Sequence, residues 1–114
     1  MERSKVLACL SALAHEARLD LVRLLVRRGE AGMAAGDIGR ELGLTASRLS
    51  FHLAALEQAG LLRSQRVSRN VIYAVDTAAI GQMIHYLLAD CCADHPEVRA
   101  CCDGARGLSS LSAP

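Results

Sequence analysis

Apolar positions recur every three or four residues through the first part of the chain, which predicts two amphipathic helices. This helical spacing runs through residues 2–13 and again through residues 15–28, so each segment has an apolar stripe to bury. Gly29 and Gly32 follow, and glycine readily adopts the left-handed conformation that ends helices. The pattern therefore predicts two helices and then a break.

The next two segments have the pattern of a helix-turn-helix. A short helix is predicted over residues 34–42 and is closed by Gly43, and Thr45 can N-cap the helix that follows. The apolar face of that second helix consists of four leucines: Leu49, Leu53, Leu56 and Leu61. Two helices joined by a tight turn are typical of this DNA-binding motif.

A β-hairpin and a further helix are predicted next. Residues 61–67 and 70–75 are rich in Val, Ile and Tyr and flank the pair Ser68-Arg69, which indicates a hairpin of the kind called a wing. Helical periodicity returns from Thr77 to about Asp90, with more apolar surface than a lone terminal helix needs. Because a large exposed apolar stripe favours association, we expect a homodimer formed through the first and last helices.

The composition favours one mainly α domain. Of the 114 residues, 52% are hydrophobic and only 3% aromatic, which suits a single core of packed helices. The expected fold is a winged helix-turn-helix of about five helices and a two-stranded wing over residues 1–103. The remainder, residues 104–114, is rich in Gly, Ser, Ala and Pro and is predicted to be a disordered tail.

The same sequence favours a cytoplasmic protein with no membrane partner. No apolar run is long enough to cross a bilayer, and the first residues lack the pattern of a signal peptide. In a reducing compartment, thiols are more often metal ligands or redox sensors than structural disulfides. The five cysteines are therefore expected to have a chemical role.

Charge is distributed unevenly although the net charge is only +1. Residues 45–75 contain four arginines and one acid, whereas residues 90–103 contain four acids and one arginine. A local basic stripe is what contact with phosphates requires, although a solvated surface would explain it too.

The second helix of a helix-turn-helix enters the major groove by its N-terminal end, so its early residues are expected to contact double-stranded operator DNA. Arg48 can bind a guanine or a phosphate. The alternative for Arg48 is a solvated surface arginine, and the alternative for His52 is a half-buried histidine that is hydrogen-bonded locally. Wing residues would reach the adjacent backbone or minor groove. The predicted contacts are Thr45, Ser47, Arg48, Ser50, Phe51 and His52 on the helix, and Arg66, Arg69 and Asn70 on the wing.

Three stretches carry a family resemblance: ALAHEARLDLVRLLV at 12–26, LTASRLSFHLAALEQAGLL at 44–62 and SRNVIYAV at 68–75. Together they resemble the ArsR/SmtB family of winged-helix regulators over roughly residues 4–92. The resemblance implies a homodimeric repressor of metal- or metalloid-resistance genes that leaves its operator when an inducer binds.

Four cysteines fall within twelve positions: Cys91, Cys92, Cys101 and Cys102. Soft thiolates select soft centres, so zinc, copper(I) and heavier metalloids are all conceivable ligands. Adjacent cysteines fit the usual spacing of a tetrahedral zinc site poorly. Trivalent arsenic needs three thiolates and its methylated form needs two, so two vicinal pairs favour arsenite or methylarsenite.

The resemblance supports the same inducer, because two metal-binding patterns found in relatives are missing from this chain. Some relatives bind arsenic through Cys-Val-Cys in the third helix, where this chain has Ala34, Ala35 and Gly36, and others bind zinc through an Asp-x-His pattern that is Asp76-Thr77-Ala78 here. The chain resembles the branch whose arsenic-binding cysteines lie just beyond the last helix. Cys91 and Cys92 would then bind arsenic with a third sulfur from either Cys101 or Cys102.

The cysteines allow two functions other than arsenic sensing to be considered, a redox sensor and an enzyme. A redox or persulfide sensor would join two of the same thiols as a disulfide or polysulfide. An enzyme is not expected, because no base is spaced to activate a cysteine. Cys9 lies on the apolar side of the first helix and is expected in the core, with a role as an intersubunit ligand as the alternative.

Overall fold

The computed structural model describes residues 1–103, so the tail predicted at 104–114 lies outside the described residues. Within this range the chain is mainly helical and contains three short strands. A 3-10 turn, Gly29–Ala31, follows α2, and a π turn, Leu87–Cys91, follows α5. In chain order the helices and strands are α1 (Arg3–Leu13), α2 (Glu16–Arg28), β1 (Met33–Ala34), α3 (Ala35–Leu42), α4 (Ala46–Gln58), β2 (Leu62–Val67), β3 (Asn70–Val75), α5 (Thr77–Tyr86) and α6 (Pro96–Cys102).

One hydrophobic core lies between the helices and the base of the sheet. The apolar periodicity seen in the sequence produces it, because helices α1 to α5 turn their apolar stripes toward the same interior. The partly buried Tyr86 and Leu87 close its C-terminal side. The buried members of the core are Val6, Cys9, Ala12, Leu21, Leu25, Ile38, Leu49, Leu53, Leu56, Leu61, Leu62, Val75 and Met83.

The predicted break after α2 is confirmed and has a steric basis. Gly29 and Gly32 have φ of 65° and 67°, in the left-handed region that favours glycine. A Cβ on Gly32 would lie 2.3 Å from the carbonyl oxygen of Tyr73, so only glycine allows the chain to pass this close to β3.

The helix-turn-helix is formed by local signals. Gly43 ends α3 with φ 66°, and the Thr45 hydroxyl caps α4 by accepting a hydrogen bond from the Arg48 amide at 3.4 Å. Leu49, Leu53 and Leu56 are buried as the periodicity predicts. The fourth leucine of the predicted stripe is also buried, although it follows the end of α4.

The wing is larger than predicted. Strands β2 and β3 pair antiparallel from Leu62 opposite Val75 to Val67 opposite Asn70, which confirms the hairpin. A third strand, β1, pairs with the other edge of β3 and gives the order β1-β3-β2, so the prediction of a two-stranded wing is corrected to a three-stranded sheet. With only two residues, β1 is too short to show alternation in the sequence.

The C-terminal segment also differs from the prediction. The last long helix, α5, is N-capped by Asp76, whose carboxylate accepts from the Ala79 amide at 3.1 Å. The α-helix ends at Tyr86 rather than near Asp90, and the chain continues as the π turn. The second cysteine pair lies in an additional helix, α6, which the sequence pattern did not predict. Pro96 at N1 and the His95 N-cap start this helix.

Within residues 1–103, every helix is too short or too polar to span a lipid bilayer.

Candidate nucleic-acid interface and thiol cluster

The exposed side of α4 carries most of the predicted DNA contacts. At 100° per residue, the side opposite the buried leucines is occupied by Ser47, Phe51 and Ala54, with Ser50 and Arg48 on its flanks. All five side chains are exposed. A helix that presents small polar groups, an arginine and one ring on its solvent side can enter a major groove without steric obstruction.

The N-terminal end of α4 adds an anion-attracting dipole. Thr45 is exposed and its hydroxyl oxygen is used for capping, which leaves its hydroxyl hydrogen free for an outside acceptor. No acidic residue lies in the first turn of this helix. The end of α4 can therefore approach a phosphate without repulsion from its own side chains.

His52 departs from the prediction of a DNA contact, because its side chain points into the domain. It is 4% exposed, and its Nδ1 accepts a hydrogen bond from the Arg18 Nε at 3.1 Å. The pKa of His52 lies below its usual value because burial disfavours the charged form, and the nearby His15, Arg18 and Arg48 lower it further. In this conformation His52 is internally bonded, and its side chain supports α4 from the side that faces the core.

Arg18 contacts this surface from α2 and is not among the residues predicted from the sequence. Its guanidinium lies 5.4 Å from the centre of the Phe51 ring and also donates to the carbonyl oxygen of Ala12 at 3.4 Å. The rings of Phe51 and His52 meet edge to face, with centroids 5.5 Å apart. Arg18 is 34 positions from its partner His52, so no local pattern could have indicated the contact.

The tip of the wing brings the other predicted DNA contacts together. Arg66, Arg69 and Asn70 are all exposed around the turn between β2 and β3. Ser68 has φ 59°, which matches the left-handed geometry that two-residue hairpin turns require. Two arginines on a projecting hairpin form a basic extension that can lie along a phosphate backbone.

The four C-terminal thiols lie on two neighbouring short elements. Cys91 ends the π turn and Cys92 follows it, whereas Cys101 and Cys102 end α6. Cys92 is half-buried and the other three thiols are exposed. Desolvation raises the pKa of the Cys92 thiol, and its hydrogen-bonded neighbour Cys91 and the nearby Cys102 raise it further.

These thiols form a loose group rather than a finished site. Among residues 1–103, no three His, Cys, Asp or Glu side chains stand close enough to hold a metal ion as they are. Cys91 and Cys102 both raise the pKa of Cys92. Any three-coordinate centre would therefore have to draw the thiols together as it binds.

The connection between the two cysteine pairs has unusual backbone geometry. Ala93 and Asp94 have φ of 51° and 53°, a left-handed conformation that is unfavourable for residues other than glycine. Asp94 also forms an ion pair with Arg99 of α6. Ala93 and Asp94 thus form the turn that separates Cys92 from α6.

Cys9 lies in the core, as expected. It is fully buried, and its thiol donates to the carbonyl oxygen of Ala59 at 3.4 Å. Burial raises its pKa, and the charge of Lys5 offsets this in part. A neutral thiol of this kind packs as a small apolar side chain.

An apolar groove of about 290 Å³ connects the first helix to the thiols. Its wall on α1 includes Leu7 and Leu10, which are 58% and 38% exposed. Its other wall includes Tyr86 and Leu87, and Cys91 lies at its edge. The first thiol pair therefore borders the same face on which the chain exposes its N-terminal apolar stripe.

The fold, the exposed side of α4 and the basic wing define a winged-helix DNA-binding protein. Residues 13–65 match the model of a family described as a helix-turn-helix domain. The HTH-type transcriptional regulator YgaV of Escherichia coli K12 is 36% identical over 77 residues, which are 68% of this chain and 76% of that protein. The transcriptional activator HlyU of Vibrio cholerae is 30% identical over 84 residues, covering 74% and 75% of the two chains.

A solved structure supports the fold. An ArsR-like transcriptional regulator from Rhodococcus superposes with a TM-score of 0.71 at 23% identity, covering 85% of this chain and 89% of the other. The chain belongs to the ArsR/SmtB family of winged-helix transcriptional regulators.

Proposed function

We propose that the chain is a homodimeric repressor that binds a near-palindromic operator and leaves it when trivalent arsenic binds the thiolates of Cys91, Cys92 and Cys102. The arsenic species would be arsenite or methylarsenite. The observation that carries this proposal is the exposure of Cys91 and Cys102 beside the half-buried Cys92, whose pKa both of them raise. One of the relatives is named an activator, so the direction of regulation is part of the proposal.

The donor set suits a soft, three-coordinate centre. Cys91 and Cys102 are exposed and Cys92 is half-buried, so a small thiophile can reach all three sulfurs. The three thiols would lose their protons as three As–S bonds form and three hydroxide groups of arsenite leave as water. Methylarsenite, in which a carbon occupies one position, would need only Cys91 and Cys92.

Cys102 is proposed as the third ligand in preference to Cys101. After its neighbour Cys91, the charge that raises the pKa of Cys92 is that of Cys102, and Cys101 lies one residue earlier on α6, about 100° around the helix axis. A variant pair can test the choice between the two, which the sequence left open.

The dimer would form through the first and last long helices. Leu7 on α1 and Ile84 on α5 are 58% and 44% exposed, which is costly for side chains of this size unless a partner covers them. With a second copy on this face, two α4 helices could enter successive major grooves of a near-palindromic site. Cys91 borders the groove beside α1, so arsenic capture there would act directly on the dimer contact.

The response would be a change in the C-terminal segment that alters the dimer. The π turn follows α5 and ends at Cys91, the first residue of the cysteine pair. Such turns are rare in proteins, and those that occur are often found at functional sites. Drawing Cys91, Cys92 and Cys102 onto one centre would reposition the π turn and α6 against α1. A coupling of about 1–3 kcal/mol between arsenic and operator is the usual scale of such regulation.

Release of DNA by arsenic tests this proposal. A fluorescent DNA site, selected from a random library by the wild-type protein, would be titrated with the protein at increasing arsenite or methylarsenite. We expect both to weaken binding of the wild type, and Cys102→Ser to lose the response to arsenite while keeping much of the response to methylarsenite. Cys101→Ser is the matched control and should respond as the wild type does. An intact arsenite response in Cys91→Ser/Cys92→Ser would refute the proposal.

Oxidation of the same thiols is the second candidate. Cys102 raises the pKa of Cys92, and two such thiols could give two electrons and two protons to a polysulfide, which would leave a disulfide and release hydrogen sulfide. A bridge that retains sulfur atoms of the polysulfide would form when the two thiols attack it in turn and displace its remaining sulfur as hydrogen sulfide. Release of DNA by polysulfide under conditions where arsenite has no effect would favour this function over arsenic sensing.

A further inference from the structure

Phe51 presents an unusually exposed ring on the outer side of α4. The ring is 64% exposed, the highest value among the large apolar side chains of residues 1–103. It lies opposite Leu49 and Leu53 on the helix, so it cannot fold into the core without rotating α4. Its neighbours on that side, Ser47 and Ser50, are small, so the ring projects beyond them.

The ring is held in place from one side. The Arg18 guanidinium lies 5.4 Å from the ring centroid, a cation–π distance, and His52 meets the ring at an interplanar angle of 66°. Arg18 is itself fixed by its hydrogen bonds to His52 and to the carbonyl oxygen of Ala12. The ring therefore keeps its outward direction before any partner binds, which lowers the entropy lost on binding.

A projecting ring of this kind has one apolar counterpart in a major groove. Base edges there present hydrogen-bond donors and acceptors, and the thymine C5 methyl group is the apolar element. A phenyl ring cannot bond to phosphate or to the polar edge of a guanine, whereas contact with a methyl group removes apolar surface of both groups from water.

We propose that Phe51 is a specificity-determining residue that contacts the C5 methyl group of one thymine in each half-site, and that Arg18 is the positioning residue that holds its ring. The inference needs only DNA binding through α4 and not the inducer, so it stands apart from arsenic sensing. It adds a preference for thymine to the polar contacts of Ser47, Arg48 and Ser50.

The test removes single methyl groups from the DNA. A preferred site is selected from a random library by the wild-type protein, and each thymine in it is replaced in turn, in both half-sites, by deoxyuracil, which differs only in lacking the methyl group. We expect one position at which the wild type loses about fourfold in affinity per half-site, the loss expected for one methyl group. Phe51→Ala should bind the thymine and deoxyuracil sites equally.

Three further variants separate recognition from folding. Leu19→Ala removes a 50% exposed apolar side chain from α2 and should keep the full preference for thymine. Arg18→Ala should reduce the thymine preference while circular dichroism stays unchanged, and Arg18→Lys, which keeps the cation, should restore part of it. An unchanged preference in Arg18→Ala would overturn the positioning role.

The other possible outcomes of the deoxyuracil experiment also decide whether the proposal holds. If no deoxyuracil replacement weakens wild-type binding, Phe51 does not recognise a methyl group, and this result does not depend on any variant folding. An equal loss in wild type and Phe51→Ala would assign the methyl contact to another residue. If no sequence is enriched in the selection, both this inference and the proposed operator binding fail, whereas an enriched site that arsenic does not release leaves this inference standing.

Discussion

The DNA-facing region and the thiol-bearing region differ in how they are held together. The DNA-facing region, residues 3–86, contains every buried side chain of the described chain, from Val6 to Met83. The thiol-bearing region, residues 87–103, has none. Apart from the partial burial of Leu87, Leu88, Ala89 and Cys92, it is shaped by helix caps, one ion pair and two residues with positive φ. The first is a packed scaffold and the second is a local structure attached to it.

This difference matches the tasks proposed for the two regions. A recognition helix must keep a fixed geometry to match base edges, and packing provides that. A sensor must change its conformation at a small cost when ligand binds, which requires low local stability. The protein would thus combine a rigid DNA-binding region with a deformable sensing region. Variants in each region test this difference.

The largest expected difference is in global stability. Leu56→Ala removes a fully buried side chain from α4 and should lower the free energy of unfolding by about 2–5 kcal/mol. Val98→Ala, which shortens a side chain that is 37% exposed on α6, should change it by less than about 0.5 kcal/mol. Urea unfolding monitored by circular dichroism measures both, and a comparable loss in the two variants would show that α6 belongs to the core.

The next largest effect concerns DNA affinity. Arg48→Ala should weaken binding to the selected site by roughly 5-fold to 100-fold, because it removes one guanine or phosphate contact of α4 per subunit. Arg99→Ala, an equally exposed arginine of the thiol-bearing region, should leave the affinity unchanged. Titration by fluorescence anisotropy compares them, with sedimentation confirming the same oligomeric state. Unchanged affinity in Arg48→Ala would make this arginine a solvated surface residue.

A change of pH is expected to have a smaller effect on the free energy of unfolding. His52 has a pKa below its unfolded value, so the unfolded chain binds a proton first and stability falls as pH drops from about 6.5 through the folded pKa of His52. Above about pH 6.5 this loss is absent. His52→Gln, which can still accept from Arg18, should show a shallower decline of the urea midpoint between pH 7.5 and pH 5. His95→Gln on the exposed α6 cap is the control, and identical profiles for wild type and His52→Gln would contradict the assignment.

The smallest effect isolates the thiol-bearing region. Ala93→Gly should relieve the cost of φ 51° and stabilise this region by up to about 1 kcal/mol, which slows hydrogen exchange of the α6 amides by a few-fold. Ala100→Gly, within α6, should speed the same exchange. The global thermal midpoint should stay constant in both variants. A shift of that midpoint would mean that the two regions unfold together.

Sequence reasoning recovered what local patterns encode. Apolar periodicity, the glycine at position 43 and the Thr45 cap predict the helix-turn-helix because each acts within a few residues. Strand β1 was not predicted, because its two residues pair with residues of β3 about forty positions away. The inward direction of His52 depends on Arg18 in another helix, which only the tertiary structure can show.

The sequence predicted which cysteines belong to the thiol group but not how these cysteines are arranged in space. Four cysteines in twelve positions indicated a sensor, yet their spacing could not distinguish Cys101 from Cys102. That distinction depends on α6, for which the sequence offered a usable signal: Pro96 after a capping His95, followed by Glu97 in the first turn. The left-handed pair Ala93-Asp94 had no such signal, because neither residue is a glycine.

The central claim is that arsenic binding at the thiols and DNA binding at α4 weaken each other. Measuring each affinity in the presence of the other ligand tests this claim most directly. The affinity of the wild-type protein for arsenite would be measured by calorimetry with and without a saturating amount of the selected DNA site. The account predicts that DNA weakens arsenite binding by the same factor, about 5- to 150-fold, by which arsenite weakens DNA binding. Equal arsenite affinity in the two measurements would contradict it.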